Sequence, residues 1–270
     1  MRSILIFFYN LKGRFFKRII PSILRKNLFF SKYQTVDLDF CKIRLNLSSS
    51  IDREIYLKGF YEKNQINYLY EISKDQNINY FLDVGSNIGY YALFFKEIEN
   101  VYAFEPNIII FADLQKNIEI NNSKIIAKNI ACSDSSGVKK IWYTDENKMG
   151  GSSIYNENDF ELTKYKKSDL KFKTVNTNKL DNILNIINKN LLIKIDVERH
   201  EINVLKGACE KIFKNNKVIM QIEIQKNMKD KVFNFLSINN FYLINSIGKD
   251  YYFKNYWNVW INPKFSFRVV

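Results

Sequence analysis

The stretch from Phe81 to Tyr91 reads FLDVGSNIGYY and decides the fold. The apolar run that ends at an acid predicts a buried strand. The two glycines four positions apart predict a tight turn, and the apolar residues that follow predict the start of a helix. Gly85 lets the chain approach a ligand with no Cβ in the way, and Gly89 permits close packing of helix on strand. The spacing DxGxxxG differs from the GxGxxG of dinucleotide-binding folds, and no Lys-Ser or Lys-Thr pair follows as in a phosphate-binding loop.

The same alternation of strand and helix continues beyond this turn. Apolar runs predict strands at Tyr80–Val84, Asn100–Phe104, Lys124–Ile130, Leu191–Ile195 and Lys217–Ile222. Helical patterns lie at 89–97, 107–121, 179–188, 201–214 and 227–239. This order is typical of a Rossmann-like α/β fold, in which a mostly parallel sheet carries helices on both faces. Right-handed crossovers then bring the carboxyl ends of the parallel strands to one edge, where ligands bind.

Three further segments frame this core. Residues 35–47 alternate apolar and polar with a slip of phase at Cys41–Lys42, which predicts two short strands or one bulged strand. Residues 51–76 are helical in pattern with a break near Gly59, residues 139–176 suggest a strand pair with a long loop, and the aromatic tail 241–262 suggests a closing antiparallel hairpin. We therefore expect an N-terminal region, 1–50, and a main domain, 51–270.

The N-terminal segment is strongly basic. Residues 1–32 carry eight of the basic residues and no acid, in a chain whose net charge is +13. One apolar stripe on a helix is predicted from Ile4, Phe8, Leu11, Phe15 and Ile19, with Pro21 ending or kinking that helix. The segment is too short and too charged to span a bilayer, and no cleavage site follows. Two interpretations of this helix remain. It lies on an anionic membrane surface, or it packs its apolar stripe on the protein itself or on a second subunit.

Two motifs at the next strand ends predict nucleoside binding. Glu105 ends the strand VYAFE, twenty residues after Gly85, where an acid can accept hydrogen bonds from both ribose hydroxyls. The turn at Ala131 can border an adenine ring. Asp134 is a candidate acceptor for the exocyclic amine, and a turn-forming aspartate is the alternative interpretation.

Three ionisable residues crowd the tip of the strand LLIKI: Asp196, Glu198 and His200. Acids also favour helix N-termini, so a helix cap is the simpler explanation. His200 is the only histidine of the chain, which excludes a multi-histidine metal site. Its ordinary pKa of about 6.5 makes it a candidate general base. A divalent cation held by these three residues and Glu223 is a weaker alternative. The three cysteines are far apart and predict free thiols.

The ordered motifs DVGSNIGYYALFF, VYAFEPN, GGSSI, LDNI and IKIDVERHEINVLKGA resemble the FkbM-type methyltransferase family over roughly residues 51–225. The resemblance implies the seven-stranded class I methyltransferase fold, S-adenosylmethionine as cofactor, and O-methylation of a small hydroxylated molecule, often a sugar or polyketide. S-adenosylmethionine has no phosphate group, which agrees with the absence of a phosphate-binding sequence at the turn around Gly85. One departure is Arg199, which stands where the family commonly has glycine. If that glycine has a positive φ or approaches substrate closely, Arg199 alters the substrate or weakens activity.

The site expected from these motifs has two parts. The base is His200, with Asp196 near the sulfonium and acceptor and Glu198 orienting base or acceptor. Cofactor contacts are expected from Asp83, Gly85, Ser86, Asn87, Gly89, Glu105, Pro106, Asn107, Ala131, Asp134 and Asp196. We expect no metal. The acceptor is expected to be a small molecule or a unit of surface polysaccharide in a bacterial cytoplasm, with residues 1–32 as the candidate contact to the inner face of the membrane.

Three rival functions remain at this point. A nicotinamide-dependent Rossmann enzyme lacks support because the central glycine of its motif is missing. A nucleic-acid methyltransferase is suggested by the basic N-terminus, but no NPPY-like or DPPY-like tetrad for a flipped base is present, so we expect no nucleic-acid partner. The third is a catalytically altered methyltransferase fold that acts as a membrane-associated binding partner, and Arg199 alone favours it.

Overall fold

The computed structural model describes residues 2–10, 14–26, 31–143 and 171–256. In chain order the described elements are α1 (Arg2–Asn10), α2 (Arg14–Arg25), β1 (Tyr33–Asp37), β2 (Lys42–Asn46), α3 (Ser50–Lys58), α4 (Lys63–Ser73), β3 (Tyr80–Val84), α5 (Tyr90–Phe94), β4 (Asn100–Phe104), α6 (Ile108–Ile120), β5 (Ile126–Lys128), β6 (Ala131–Cys132), β7 (Gly137–Tyr143), β8 (Lys171–Asn178), α7 (Leu180–Ile183), β9 (Asn190–Ile195), α8 (Glu201–Lys206), α9 (Ile212–Asn215), β10 (Lys217–Glu223), α10 (Lys229–Ile238), β11 (Tyr242–Ile247) and β12 (Asp250–Lys254).

The central sheet has seven strands in the order β11-β12-β10-β9-β3-β4-β5. Strands β10, β9, β3, β4 and β5 run parallel to one another, and β12 is antiparallel to both β10 and β11. The order reverses at β3, which lies between β4 and β9, and a ligand crevice forms at such a switch point. The α/β fold and the closing hairpin predicted from the sequence are therefore confirmed, and the sheet has the seven strands that the family resemblance implies.

Side chains alternate between two core clusters, one on each face of the sheet. Phe81 and Leu192 point to the cluster beneath α4, α5 and α6, whereas Leu82 and Ile193 point to the cluster beneath α8 and α10. All four side chains are fully buried. A strand buried on both faces needs a continuous apolar run, which is why FLDV and LLIKI lack a polar–apolar alternation.

Several element bounds differ from the prediction, for local reasons. Strand β5 is shorter than 124–130, because the Ile130 N–H turns back to the Lys128 carbonyl at 3.0 Å. The helix predicted over 201–214 is two helices, α8 and α9. Asp181 causes the break, since its carboxylate accepts the backbone N–H groups of Glu210 and Ile212, each at 2.8 Å, and so caps α9. The helix predicted over 179–188 is limited to α7.

The N-terminal residues pack on the main core through a different face from the predicted one. Ile20 and Leu24 of α2 are buried in the first core cluster, whereas Ile4 of α1 is 60% exposed. Pro21 does not end α2, which continues to Arg25 because Leu24 anchors its last turn. Leu11 and the motif GGSSI lie outside the described residues. Among the residues that are described, no helix is long and apolar enough to cross a membrane.

The segments flanking the core match the remaining expectations. β1 and β2 pair antiparallel on either side of the predicted slip. Gly59 ends α3 in the left-handed conformation, with φ of 79°. β7 and β8 form the predicted antiparallel pair and, with β6, a second small sheet. The cysteines are free thiols.

Candidate active site

A cleft opens at the switch point between β3, β4 and β9, and Gly85 shapes its floor. Gly85 has φ of +82°, and a Cβ there would lie 1.9 Å from the Asp196 carbonyl oxygen. The backbone N–H groups of Gly85 and Ser86 both donate to the Phe104 carbonyl at 3.0 Å. Glycine is therefore required at this position, because the tips of three strands converge on it.

Glu105 is held rigidly at the tip of β4. Its Oε1 accepts the Asn107 backbone N–H at 2.8 Å, and its Oε2 accepts the Asn87 backbone N–H at 3.0 Å. Burial raises the pKa of Glu105 to about 7, although both N–H donors act in the opposite direction. The carboxylate is thus fixed in place and lines the cleft.

Three polar atoms in the cleft wall are buried without a hydrogen-bond partner among the described residues: Asp83 Oδ1, Ser86 Oγ and Asn107 Nδ2. The other oxygen of Asp83 accepts the Ala92 N–H at 3.0 Å, and burial raises the pKa of Asp83 to about 6. Unsatisfied buried polar groups are costly. An acid, a hydroxyl and an amide donor left in one cleft are what a polar ligand would satisfy.

Most of the residues expected to contact the cofactor line this cleft. They are Asp83, Gly85, Ser86, Asn87, Glu105, Pro106, Asn107, Ala131 and Asp196. Gly89 lies outside it, beneath the side chain of Leu114. Asp134 also lies outside it, because its carboxylate is bound by Lys139 at 3.2 Å and by Asn203 at 2.8 Å. Partial burial alone would raise the pKa of Asp134, but these hydrogen bonds outweigh it and hold that pKa well below its usual range.

Lys194 also lines the cleft, although none of the sequence motifs predicted a role for it. Its Nζ lies 3.0 Å from Asp196 Oδ2 and 4.6 Å from the centre of the Tyr91 ring, and its side chain is buried. Burial opposes its charge, yet the carboxylates of Asp196, Asp83 and Glu62 together raise its pKa. A lysine inside the apolar run LLIKI was the available signal, since a charged residue in a two-sided buried strand needs a partner.

A buried chain of hydrogen bonds extends from this lysine's neighbours. The Tyr91 hydroxyl donates to Glu62 Oε2 at 2.9 Å, and Gln221 Nε2 contacts the Tyr91 oxygen at 3.2 Å and Asp250 Oδ1 at 2.8 Å. Burial raises the pKa of Glu62 and of Asp250. These residues come from four separate segments, and no sequence motif links them.

Carboxylates also gather where β9 and β10 end. Burial and then the charge of Asp196 raise the pKa of Glu198. Burial, together with the charges of Asp196 and Glu198, raises the pKa of Glu223 to about 8. Lys249 Nζ lies 3.7 Å from Glu223 Oε1 and partly offsets this charge. In the part of the chain that the structure describes, no three His, Cys, Asp or Glu side chains come close enough to hold a metal ion.

His200 lines the cleft at the residue before α8 and is only 5% exposed. Its Nε2 lies 2.9 Å from the Ser133 hydroxyl, a contact between strand tips 67 residues apart. His200, Asp196 and Glu198 thus line the cleft where β9 ends, with Asp83 near the end of β3 and Glu105 at the end of β4.

The loop before His200 is left-handed at two successive residues. Glu198 has φ of 47° and Arg199 has φ of 75°. The Arg199 N–H donates to Glu201 Oε1 at 2.8 Å, and burial raises the pKa of Glu201 to about 7. The position at which the resemblance expects glycine is therefore one that glycine adopts without strain.

Comparison with known proteins decides the family. The profile of the methyltransferase FkbM domain matches residues 83–251, which include most of the residues that line the cleft. The chain belongs to the FkbM methyltransferase family. FkbM methyltransferases use S-adenosylmethionine, so this is the cofactor of the protein.

A characterised relative of this FkbM methyltransferase is the hexuronic acid methyltransferase AglP of Haloferax volcanii. The two are 29% identical over 169 residues, which cover 63% of this chain and 65% of the relative. The match therefore spans less than two thirds of the relative's length.

Two solved structures resemble the chain more distantly. The TYW2 protein of M. jannaschii in complex with AdoMet is 12% identical with a TM-score of 0.42, and the match covers 83% of this chain and 84% of that one. A tRNA (uracil-54, C5)-methyltransferase of Pyrococcus abyssi in complex with S-adenosyl-L-homocysteine is 11% identical with a TM-score of 0.44, covering 84% and 44%. Scores this low carry no conclusion about the activity of the FkbM methyltransferase described here.

Proposed function

We propose that this FkbM methyltransferase transfers the methyl group of S-adenosylmethionine to a hydroxyl of a sugar, either free or as a unit of a glycan. The observation that carries the proposal is the position of His200, a single imidazole buried at the end of the cofactor cleft beside Asp196 and Glu198. The hexuronic acid methyltransferase relative supports a sugar as the acceptor class.

The cleft residues suit the cofactor. Glu105 would accept hydrogen bonds from the ribose hydroxyls, because both of its oxygens are already oriented by backbone N–H groups. Asp83 Oδ1, which has no partner among the described residues, suits the cationic amino-acid end. Ser86 Oγ and Asn107 Nδ2 supply further polar contacts beside Gly85, where the absence of a side chain leaves room.

The cofactor supplies an electrophilic methyl group on a sulfonium sulfur. A sugar hydroxyl is a poor nucleophile, so a base must remove its proton as the new bond forms. His200 is the proposed base, since imidazole is the side chain most often used for proton transfer and this one lines the cleft. Asp196 and Glu198 would orient the acceptor, and their fixed positions serve the alignment that methyl displacement requires.

A transfer assay with labelled S-adenosylmethionine tests this proposal on acceptors that contain hexuronic acid, neutral sugars or amino sugars. We expect label to enter a sugar hydroxyl. His200→Ala should lower the rate by about 10²- to 10⁴-fold, the usual contribution of general acid–base catalysis, and should bind S-adenosylhomocysteine as tightly as the wild type.

Glu105→Ala is the matched control, because it should abolish binding of S-adenosylhomocysteine in calorimetry. Wild-type protein that binds this product but methylates no hydroxylated acceptor would refute the proposed reaction. A near-normal rate in His200→Ala would refute only the proposed base.

A further inference from the structure

Behind His200 lies a polar cluster that the cofactor cleft does not include. The Ser133 hydroxyl lies 2.9 Å from His200 Nε2, 2.9 Å from Lys139 Nζ and 3.1 Å from Asp134 Oδ1. The second oxygen of Asp134 accepts from Asn203 at 2.8 Å. Ser133 is fully buried, whereas Lys139 and Asp134 are partly exposed. The cluster therefore connects the imidazole, through one hydroxyl, to an ion pair near the surface.

The number of protons in this cluster fixes the direction of each hydrogen bond. A serine hydroxyl has one proton to donate and two lone pairs to accept with, and a lysine ammonium can only donate. Asp134 is ionised, since its pKa is held well below the usual range, and can only accept. Ser133 therefore accepts from Lys139 and donates to Asp134. Its remaining lone pair then faces His200 Nε2, and the set is complete when that nitrogen carries the proton.

The backbone keeps Ser133 in this position from two sides. The Ser133 N–H donates to the carbonyl of Asn178, the last residue of β8, at 2.9 Å. A Cβ at Gly207, at the end of α8, would lie 2.0 Å from the Ser133 carbonyl oxygen, so only glycine lets this helix approach so closely. His200 lies directly before the same helix, so the close approach at Gly207 also holds this helix near Ser133.

We propose that Ser133 and Asp134 are positioning residues that keep the proton of neutral His200 on Nε2, so that Nδ1 is the nitrogen that takes the proton of the acceptor hydroxyl. This inference rests on the proposed role of His200 as base. The acceptor proton ends on Nδ1 and the imidazole becomes an imidazolium ion. Its Nε2–H still donates to Ser133, so no hydrogen bond in the cluster has to reverse. The ion pair of Lys139 and Asp134 holds the Ser133 hydroxyl in this orientation throughout.

Nitrogen NMR on protein labelled with ¹⁵N-histidine tests the tautomer without any acceptor. His200 is the only histidine of the chain, so the spectrum contains one imidazole. Above the pH at which the ring loses its second proton, we expect a protonated Nε2 and an unprotonated Nδ1. Ser133→Ala should shift the Nε2 resonance, because the acceptor of its proton is gone. The matched control is Ser135→Ala, which removes another donor to Asp134 Oδ1, at 3.3 Å, and should leave that resonance unchanged.

Asp134→Asn separates positioning from cofactor binding. We expect unchanged affinity for S-adenosylhomocysteine and, once an acceptor is in hand, a rate lower by about 10- to 100-fold, the usual loss when a partner of a functional histidine is removed. The same rate loss is expected for Ser133→Ala, with KM for the cofactor unchanged.

Two results would overturn the inference. A wild-type spectrum with the proton on Nδ1 would mean that Ser133 donates to His200. Weakened S-adenosylhomocysteine binding in Asp134→Asn would return Asp134 to the cofactor site. If His200 is not the base, the pattern is different. The wild-type spectrum then shows the expected tautomer, and His200→Ala retains a normal rate.

Discussion

The two ends of the cleft are built in opposite ways. At the tips of β3 and β4, Gly85, Asn87 and Glu105 are held by backbone N–H and carbonyl groups that lie within twenty residues of one another. At the tip of β9, Lys194 pairs with the nearby carboxylate of Asp196. Side chains from distant segments, Tyr91 and Ser133, contact Lys194 and His200 respectively. The first end depends on backbone geometry and the second on charge, so the two ends should respond differently to substitution and to pH.

Gly85→Ala should have the largest effect and tests the backbone-defined end. The new Cβ would lie 1.9 Å from the Asp196 carbonyl oxygen, so either β3 or β9 must move. We expect a loss of at least about 3 kcal/mol in the free energy of unfolding, measured with urea. Gly248→Ala is the matched control, because φ is also positive there, at +65°, but nothing lies within 4 Å. It should cost only about 1 kcal/mol. Equal losses would show that strain at φ alone explains both.

Lys194→Met tests the charge-defined end. Removing the cation leaves Asp196 and Asp83 without their buried partner, so we expect a loss of about 3 kcal/mol at neutral pH. The loss should be larger at pH 8 than at pH 5. The folded-state pKa of Asp83, about 6, exceeds its ordinary 3.8, so stability falls as pH rises between these values. Without Lys194 the pKa of Asp83 rises further, so the pH range over which stability falls extends to higher pH. The variant therefore loses more stability at pH 8 than at pH 5. A loss of stability that does not depend on pH would contradict the electrostatic explanation. The control is Lys74→Met, which removes the lysine of an exposed ion pair with Glu71.

Glu105→Gln tests whether the carboxylate itself matters at the backbone-defined end. An amide can accept only one of the two N–H groups, so its NH₂ would face the N–H of either Asn87 or Asn107. We expect affinity for S-adenosylhomocysteine to fall by about 2 kcal/mol, since hydrogen bonds to charged groups contribute about that much. Calorimetry measures it, and unchanged affinity would mean that Glu105 serves only to shape the turn.

Arg199→Gly should have the smallest effect and the opposite sign. Arginine at φ of 75° is strained, and glycine relieves that strain while losing more chain entropy on folding. We expect a net gain of up to about 1 kcal/mol in the free energy of unfolding. Arg199→Ala keeps the strain and should show no gain. A gain in both variants would place the effect in the side chain rather than in the backbone.

The difference between the two ends also explains which parts the sequence could predict. Gly85 and Glu105 lie in motifs whose meaning depends on local order, strand then turn then helix, and that order was readable. The bounds of β3 and β4 were predicted to the residue for the same reason, since an apolar run flanked by polar residues marks both ends of a buried strand.

The charge-defined end was less predictable because its partners are far apart in the chain. The position of Asp134 after a strand suggested either an adenine contact or a turn, whereas its partner Asn203 lies 69 residues away in the chain. Glu62, in a turn between two helices, accepts from the Tyr91 hydroxyl, and Gln221 in turn donates to the same hydroxyl oxygen. Such pairings appear only when the sheet has formed, because nothing in one segment specifies the other.

The position of β12 has a consequence for the order in which the protein can be completed during synthesis. This strand enters the sheet between β10 and β11, and the Tyr252 hydroxyl donates to the Gln65 carbonyl at 3.1 Å. Until residue 254 has left the ribosome, the edge of β10 has no partner and the pocket for Tyr252 is empty. A nascent chain that carries every cleft residue is therefore still unfinished, with an exposed strand edge that favours aggregation over function.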